Sequence, residues 1–153
     1  MIRVSVLTLV DNLQQIVDEI NQASWDQAND MGEYDVVSLA AYLERQDTVF
    51  VACHDTTADG RTLLGMASAR VELKPYGSKR WLYVDEVDVC ANQRRRGAGK
   101  AMMRKLIELA ADAGCEEVWL GTEEDNHAAN ALYRSLDPDE VTQVTGYAYA
   151  IMD

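Results

Sequence analysis

The stretch Gln93-Arg94-Arg95-Arg96-Gly97-Ala98-Gly99-Lys100 is unusual in its own chain. The sequence holds 26 Asp and Glu against 14 Lys and Arg. Yet six of those bases fall between Arg94 and Lys105, and no acid occurs between Asp88 and Glu108. The stretch follows a β-rich run, WLYVDEVDVC, and opens a segment with helical periodicity. At such a junction the first helical N–H groups have no partner within the helix, and the helix dipole adds partial positive charge. Gly97 and Gly99 would let a ligand approach the backbone, while Arg94, Arg95, Arg96 and Lys100 supply formal charge. This chemistry suits a phosphate or pyrophosphate. A Walker loop is absent, because Arg94 stands where its first glycine belongs and Ala101 where Ser or Thr would follow the lysine. The dinucleotide fingerprint fails too, with Met102 at its third glycine. Taken alone, the stretch is equally well read as a solvated basic first turn.

The elements around it can be read from periodicity. Ile2 to Leu9 has strand composition, and Leu13, Ile16, Val17 and Ile20 form one helix face. An acid-rich loop, SWDQANDMGEYD, leads to a second helical spacing at Val36, Leu39, Ala40 and Leu43. TVFVACH and TLLGMASARVEL, separated by DTTADGR with its Asp59-Gly60 turn signal, predict antiparallel neighbours, and WLYVDEVDVC extends them to a meander. From Ala98 to Ala113, apolar Ala98, Met102, Leu106, Leu109 and Ala113 make a stripe that Gly114 ends. EEVWLGT then predicts a short strand. NHAANALYRSL predicts a short helix with Asn126 as N-cap, and VTQVTGYAYAIM a closing strand. The order is β, two helices, three strands, helix, strand, helix, strand.

Two motifs now carry a resemblance. Arg94-Arg95-Arg96-Gly97-Ala98-Gly99 resembles the Arg/Gln-x-x-Gly-x-Gly/Ala signature of the GCN5-related N-acetyltransferases (GNAT), set between a strand and a long amphipathic helix. About 30 residues on, Asn126-His127-Ala128-Ala129-Asn130-Ala131-Leu132-Tyr133 resembles that family's Asn-x-x-Ala-x-x-Leu-Tyr helix. The order of elements is similar over nearly the whole chain. From about Leu39 to Asp153, with LKPYGSKRWLYVDEVDV and ALYRSL as cues, the chain looks most like class I aminoglycoside 3-N-acetyltransferases. It departs from many relatives in having Asp137-Pro138 where they have Gly-Phe.

The resemblance implies an α/β (α+β) fold with a mixed, mostly antiparallel central sheet flanked by about four helices, formed by residues 1–153 as one domain. It also implies direct transfer of acetyl from acetyl-CoA to an amine. In that scheme the N–H groups from Arg95 to Lys100 hold the pyrophosphate. The backbone of Val87, Asp88 and Val89 pairs with the pantetheine arm, and Asn126 and Ala129 help to fix it. An alkylammonium must lose its proton before attack, which needs a base. Glu86 is the candidate, sharing a strand face with Asp88 while Asp85 and Val87 take the other. Tyr133 is the candidate general acid for the departing thiolate. Asp30, Glu33, Asp85, Glu123, Glu124 and Asp125 are candidates for anchoring a cationic acceptor such as an aminoglycoside. Solvated helix flanks account for the same acids. A protein N-terminus, a lysine or a polyamine stays open as acceptor, as does a non-catalytic acyl-CoA-binding module.

The totals narrow the partners. A net charge of -12 disfavours nucleic acid and anionic membrane and favours a cationic partner. No run approaches the roughly 20 apolar residues of a spanning helix, and no leader pattern opens the chain, so a cytoplasmic location is expected. Cys53, Cys90 and Cys115 are too few and scattered for a disulfide framework and read as buried thiols, and neither they nor His54 and His127 make a metal-ligand spacing. A homodimer is expected from the resemblance.

Overall fold

The computed structural model describes residues 1–27 and 31–152. Five strands, β1 (Ile2–Val6), β2 (Thr48–Thr57), β3 (Gly60–Leu73), β4 (Arg80–Val89) and β5 (Glu117–Trp119), form one sheet in sequential order. The first three pairings are antiparallel and β4 with β5 is parallel. The helices are α1 (Leu13–Gln22), α2 (Val36–Glu44), α3 (Ala98–Asp112) and α4 (His127–Arg134). The expected α/β (α+β) class, with a mixed, mostly antiparallel sheet and four helices, is what forms. The chain divides into two compact units, Met1–Leu120 and Gly121–Asp153.

In the first unit both sheet faces are covered. The α1 face foreseen from spacing, Leu13, Ile16, Val17 and Ile20, is buried together with Leu39 of α2 against Phe50, Ala52 and Met66. Strand alternation puts Val51 and Cys53 on the opposite side, where α3 packs along the sheet. Hence Phe50 to His54 are buried without alternation, the pattern of a strand covered on both sides. The buried stripe of α3 is Ala98, Gly99, Met102, Met103, Leu106 and Ala110. Leu109, expected in this stripe, lies half-buried at its margin, and Ala113 falls just past the helix as its C-cap and is exposed.

Two singular residues find structural work. His54 is buried, its Nε2 is 3.1 Å from Glu19 Oε2, and Arg61 donates to Glu19 Oε1 at 2.6 Å, tying α1 to β2 and β3. Burial holds His54 below its ordinary pKa against the pull of Glu19. Cys53 and Cys90 are buried as expected, whereas Cys115 is half-exposed.

One expected element does not form. Val141–Met152 has strand alternation, but no strand is assigned there and the segment is exposed. Alternation describes which face a strand would bury; it supplies no ladder partner, and no sixth strand joins this sheet among the described residues.

Gly65 sets the approach of β3 to its neighbours. A Cβ there would stand 2.5 Å from the Asp88 carbonyl oxygen and 2.8 Å from Met102 Cε. The methionine can move, but the β4 backbone cannot without opening the sheet. Gly65→Ala is therefore expected to destabilise the protein by about 1–3 kcal/mol, as overpacking does. Urea unfolding measures this, and an unchanged midpoint would show that β4 yields freely.

Candidate active site

The site is built where β4 leaves β5. Only Trp81, Leu82 and Tyr83 pair with β5, as partners of Glu117, Val118 and Trp119. From Val84 to Val89 the outer edge of β4 has no strand beside it among the described residues. A bulge lies at the same place: Ala69 pairs with Val84 and Ser68 with Glu86, leaving Asp85 outside the ladder. A bulge bends its strand and raises local twist. The result is a short row of backbone donors and acceptors open to an extended ligand.

The bared edge runs directly into the glycine–arginine stretch. A 3₁₀ turn, Ala91–Gln93, follows β4, and Gly97 starts α3 with φ of 83°. That left-handed conformation is one a glycine adopts without strain, and nothing lies within 4 Å of where its Cβ would be. No side chain caps the helix start, and no acid lies in its first turn. Arg95 is also left-handed, with φ of 65°, a conformation that costs a non-glycine residue about 1–2 kcal/mol.

The bases themselves are not equivalent. Arg94 donates to Asp26 Oδ2 at 2.9 Å, and Arg96 pairs with Asp55 and with Gln93 Oε1 at 2.8 Å. Both guanidinium groups are thus held by carboxylates of neighbouring elements, which spacing alone did not reveal. Ala98 and Gly99 are buried and Lys100 is half-buried.

On β4, burial separates three neighbouring acids. Asp85 is exposed and accepts from Arg70 Nε at 3.3 Å. Glu86 is exposed, and Asp88 is only 6% exposed. Burial pushes the Asp88 carboxyl up to about 6, with further rises from the Glu86 charge and a hydrogen bond to Glu86. Glu86 and Asp88 therefore interact on the strand face they were expected to share, and Val87 and Val89 between and after them are half-buried.

Beside Glu86 lies a cavity of about 240 Å³ lined by Glu33, Tyr34, Asp35, Ser38, Leu39, Tyr42, Phe50 and Ser68. Ser68 sits opposite Glu86 in the β3–β4 ladder. Tyr34 and Tyr42 both meet Phe50 edge-on, at centroid distances of 6.2 and 6.4 Å. The Tyr42 hydroxyl donates to the Ala69 carbonyl at 2.9 Å. Burial, and then the fields of Glu86 and Asp88, push the Tyr34 phenol up to about 12. These aromatic residues were missed in the sequence because their helical or loop spacing resembles ordinary core. Glu33 lines this cavity, while Asp30 lies outside the described residues.

The second unit carries the other motif. Asn126 caps α4, its Oδ1 accepting from Ala129 N–H at 3.1 Å, as its position predicted. Asn130 Nδ2 donates to the carbonyls of Glu123 and Asn126 at 3.0 and 2.8 Å. These bonds fold the Glu123-Glu124-Asp125 turn back on the helix. Tyr133 is half-buried on α4. Among the described residues no cluster of His, Cys, Asp and Glu could hold a metal, and no helix is long and apolar enough to cross a membrane.

Comparison with known proteins agrees with this geometry. Residues 14–137 match the model of the Acetyltransferase (GNAT) family. The chain belongs to that family, whose cosubstrate is acetyl-CoA. It is 37% identical over 90 residues to N-acetyltransferase family 8 member 3 of Mus musculus, covering 59% of this chain and 39% of that protein. The chain thus matches well under half the length of this curated relative. The fold is similar to an aminoglycoside acetyltransferase from an uncultured soil metagenomic sample in complex with sisomicin, with TM-score 0.81, 18% identity and coverage of 99% and 97%. It is also similar to AAC(6')-Iy in complex with the bisubstrate analog CoA-S-monomethyl-acetylneamine, with TM-score 0.73, 17% identity and coverage of 98% and 99%.

The raised Asp88 pKa has a thermodynamic consequence. The native state keeps this proton where the unfolded chain has released it, so the group's contribution to stability falls as pH rises from 3.8 through about 6. Asp88→Asn removes that loss. Its unfolding temperature relative to wild type should therefore increase between about pH 4 and about pH 7. A difference that does not vary with pH would show that Asp88 titrates like an exposed carboxyl.

Proposed function

We propose that this chain transfers the acetyl group of acetyl-CoA to a primary amine of an aminoglycoside, at the 3-N position. The observation that carries the reading is the bared β4 edge leading into an uncapped, basic helix start. Acetyl-CoA combines an amide-bearing extended arm with a pyrophosphate, and these two features suit those two groups. Val87, Asp88 and Val89 would bond the arm through their backbone, with Asn126 and Ala129 assisting. The N–H groups from Arg95 to Lys100 would hold the pyrophosphate. The carboxylate pairing of Arg94 and Arg96 supports a division of labour in which Arg95 and Lys100 supply most of the free charge.

On the acceptor side, the aromatic cavity beside Glu86 supports an amine-bearing ring, and Glu33 adds attraction for a polycation. Asp85, Glu123, Glu124, Asp125 and Asp30 would extend that attraction at longer range. Glu86 takes the ammonium proton, directly or through water, and the neutral nitrogen attacks the thioester carbonyl. Tyr133 returns a proton to the departing thiolate. The absence of any charged run on the cosubstrate stretch other than its bases fits an anionic donor, and the acidic remainder fits a cationic acceptor. Two copies would associate as a homodimer in the cytoplasm.

Thiol release from acetyl-CoA in the presence of gentamicin, kanamycin or spermidine, against an acceptor-free control, tests the donor and the acceptor class together. Turnover on an aminoglycoside is expected, with mass spectrometry and NMR locating the acetyl group at 3-N. Turnover confined to spermidine or a peptide amine would overturn the acceptor assignment. CoA binding without turnover on any amine would replace the enzyme with an acyl-CoA-binding module.

Glu86→Gln and Tyr133→Phe should each lower kcat/KM by roughly 10²-fold or more, the scale of general acid–base contributions. Kd for CoA should stay near wild type in both. An unchanged kcat/KM in the double variant would remove both residues from the chemistry.

A further inference from the structure

One wall of the cavity beside Glu86 is a residue that belongs to no helix or strand. Residues 31–35 are irregular backbone, yet Tyr34 lines the cavity and its ring meets Phe50 edge-on. A ring carried on a loop keeps one place where the loop backbone is itself tied down, because ordering that backbone has an entropy cost that contacts must offset. Two contacts do this. After Tyr34, Asp35 caps α2, its Oδ1 accepting from the Ser38 N–H at 2.7 Å. At Tyr34 itself the partner is Asn21, in the last turn of α1. Its Nδ2 donates to the Tyr34 carbonyl at 2.8 Å, and its Oδ1 accepts from the Tyr34 N–H at 2.9 Å.

A carboxamide presents a donor and an acceptor side by side, as a peptide group does, so Asn21 gives Tyr34 the two bonds that a neighbouring strand would give. An aspartate lacks the donor, and an alanine lacks both groups. Asn21 is exposed, outside the buried face of α1, and asparagine is a poor helix former. Its polar contacts lie 13 residues away in the sequence, not within the helix.

We propose that Asn21 is a positioning residue for the acceptor: by pairing with both backbone groups of Tyr34 it holds that ring as a wall of the cavity beside Glu86. The inference rests on the reading of that cavity as the acceptor site, and it adds a residue outside the cavity that sets its shape. Asn21 is not among the residues lining the cavity, so its route to the acceptor runs through Tyr34. The charges of Glu86 and Asp88 reach the Tyr34 phenol, which puts the held ring on the side where the amine would meet its base.

Steady-state kinetics of Asn21→Ala, Asn21→Gln and Tyr34→Leu with kanamycin as acceptor measure this role. Asn21→Ala loses two hydrogen bonds that hold one loop conformation, and should raise the acceptor KM roughly tenfold, with a smaller change in kcat and none in KM for acetyl-CoA. Asn21→Gln keeps donor and acceptor and should recover part of the loss. In a Tyr34→Leu background, Asn21→Ala should change the acceptor KM no further, since the ring it holds is gone. A role confined to helix stability would give the same fold-change in both backgrounds. Absorbance titration follows the ring itself: burial first, then Glu86 and Asp88, push the Tyr34 phenol up to about 12, and in Asn21→Ala it should move back toward 10. An acceptor KM unchanged in Asn21→Ala, an equal rise in both backgrounds, or an unmoved titration would each overturn the proposal and leave the acceptor site where it is. Wild-type protein that neither acetylates nor binds kanamycin would overturn the acceptor reading, and this role for Asn21 with it.

Discussion

The parting of β4 from β5 after Tyr83 is the constraint on which the site depends. A strand inside a sheet spends its N–H and C=O groups on both neighbours, and so has none for a ligand. Here the bulge at Asp85 bends β4 while β5 ends at Trp119, and no strand of the described residues pairs with the outer edge from Val84 to Val89. That stretch is held firmly on its other side by β3, where Gly65 permits an approach that no side chain would allow. A rigid strand with one open edge is thus obtained without a flexible loop. The basic turn that follows is positioned by the same strand, so the two halves of the proposed donor site are covalently in register.

Electrostatics divides the molecule in a way the net charge conceals. Arg94 and Arg96 are tied to Asp26 and Asp55, so two of the bases are neutralised by partners distant in sequence. These pairs are exposed and add little to stability, but they restrict where the turn can go. Arg95, between them, is left in a strained left-handed conformation, which persists only where its surroundings hold it. On β4, Glu86 and Asp88 crowd two carboxyls onto one strand face beside the aromatic cavity. Burial raises Asp88, and Glu86 raises it further. The buried carboxyl of Asp88 thus keeps its proton to higher pH than an exposed aspartate does.

Much of this arrangement was legible in the sequence, for reasons that differ by element. The α1 face and the β2–β4 meander were readable because periodicity and turn chemistry act locally. The basic glycine stretch was readable because its composition departs so far from the rest of the chain. The Asn126 cap followed from a short-range preference of its side chain. The cavity was not readable: Tyr34, Tyr42, Phe50 and Ser68 come from a loop, a helix and two strands, and only the fold brings them together. Nor were the Arg94–Asp26 and Arg96–Asp55 pairs, which join residues far apart in the chain. The bulge at Asp85 escaped for a related reason, since strand alternation assumes an unbroken register.

The Val141–Met152 segment shows the limit of periodicity from the other direction. Its alternation is as clear as that of β4, but a strand is a relation between two segments, and a sequence pattern describes only one of them. The side-chain pattern puts Tyr147, Tyr149 and Ile151 on one face, and Val144, Gly146, Ala148, Ala150 and Met152 on the other. It does not say whose backbone will complete the ladder. The segment leaves Tyr147, Tyr149 and Ile151 exposed, so the physical pressure to bury it comes from those side chains themselves.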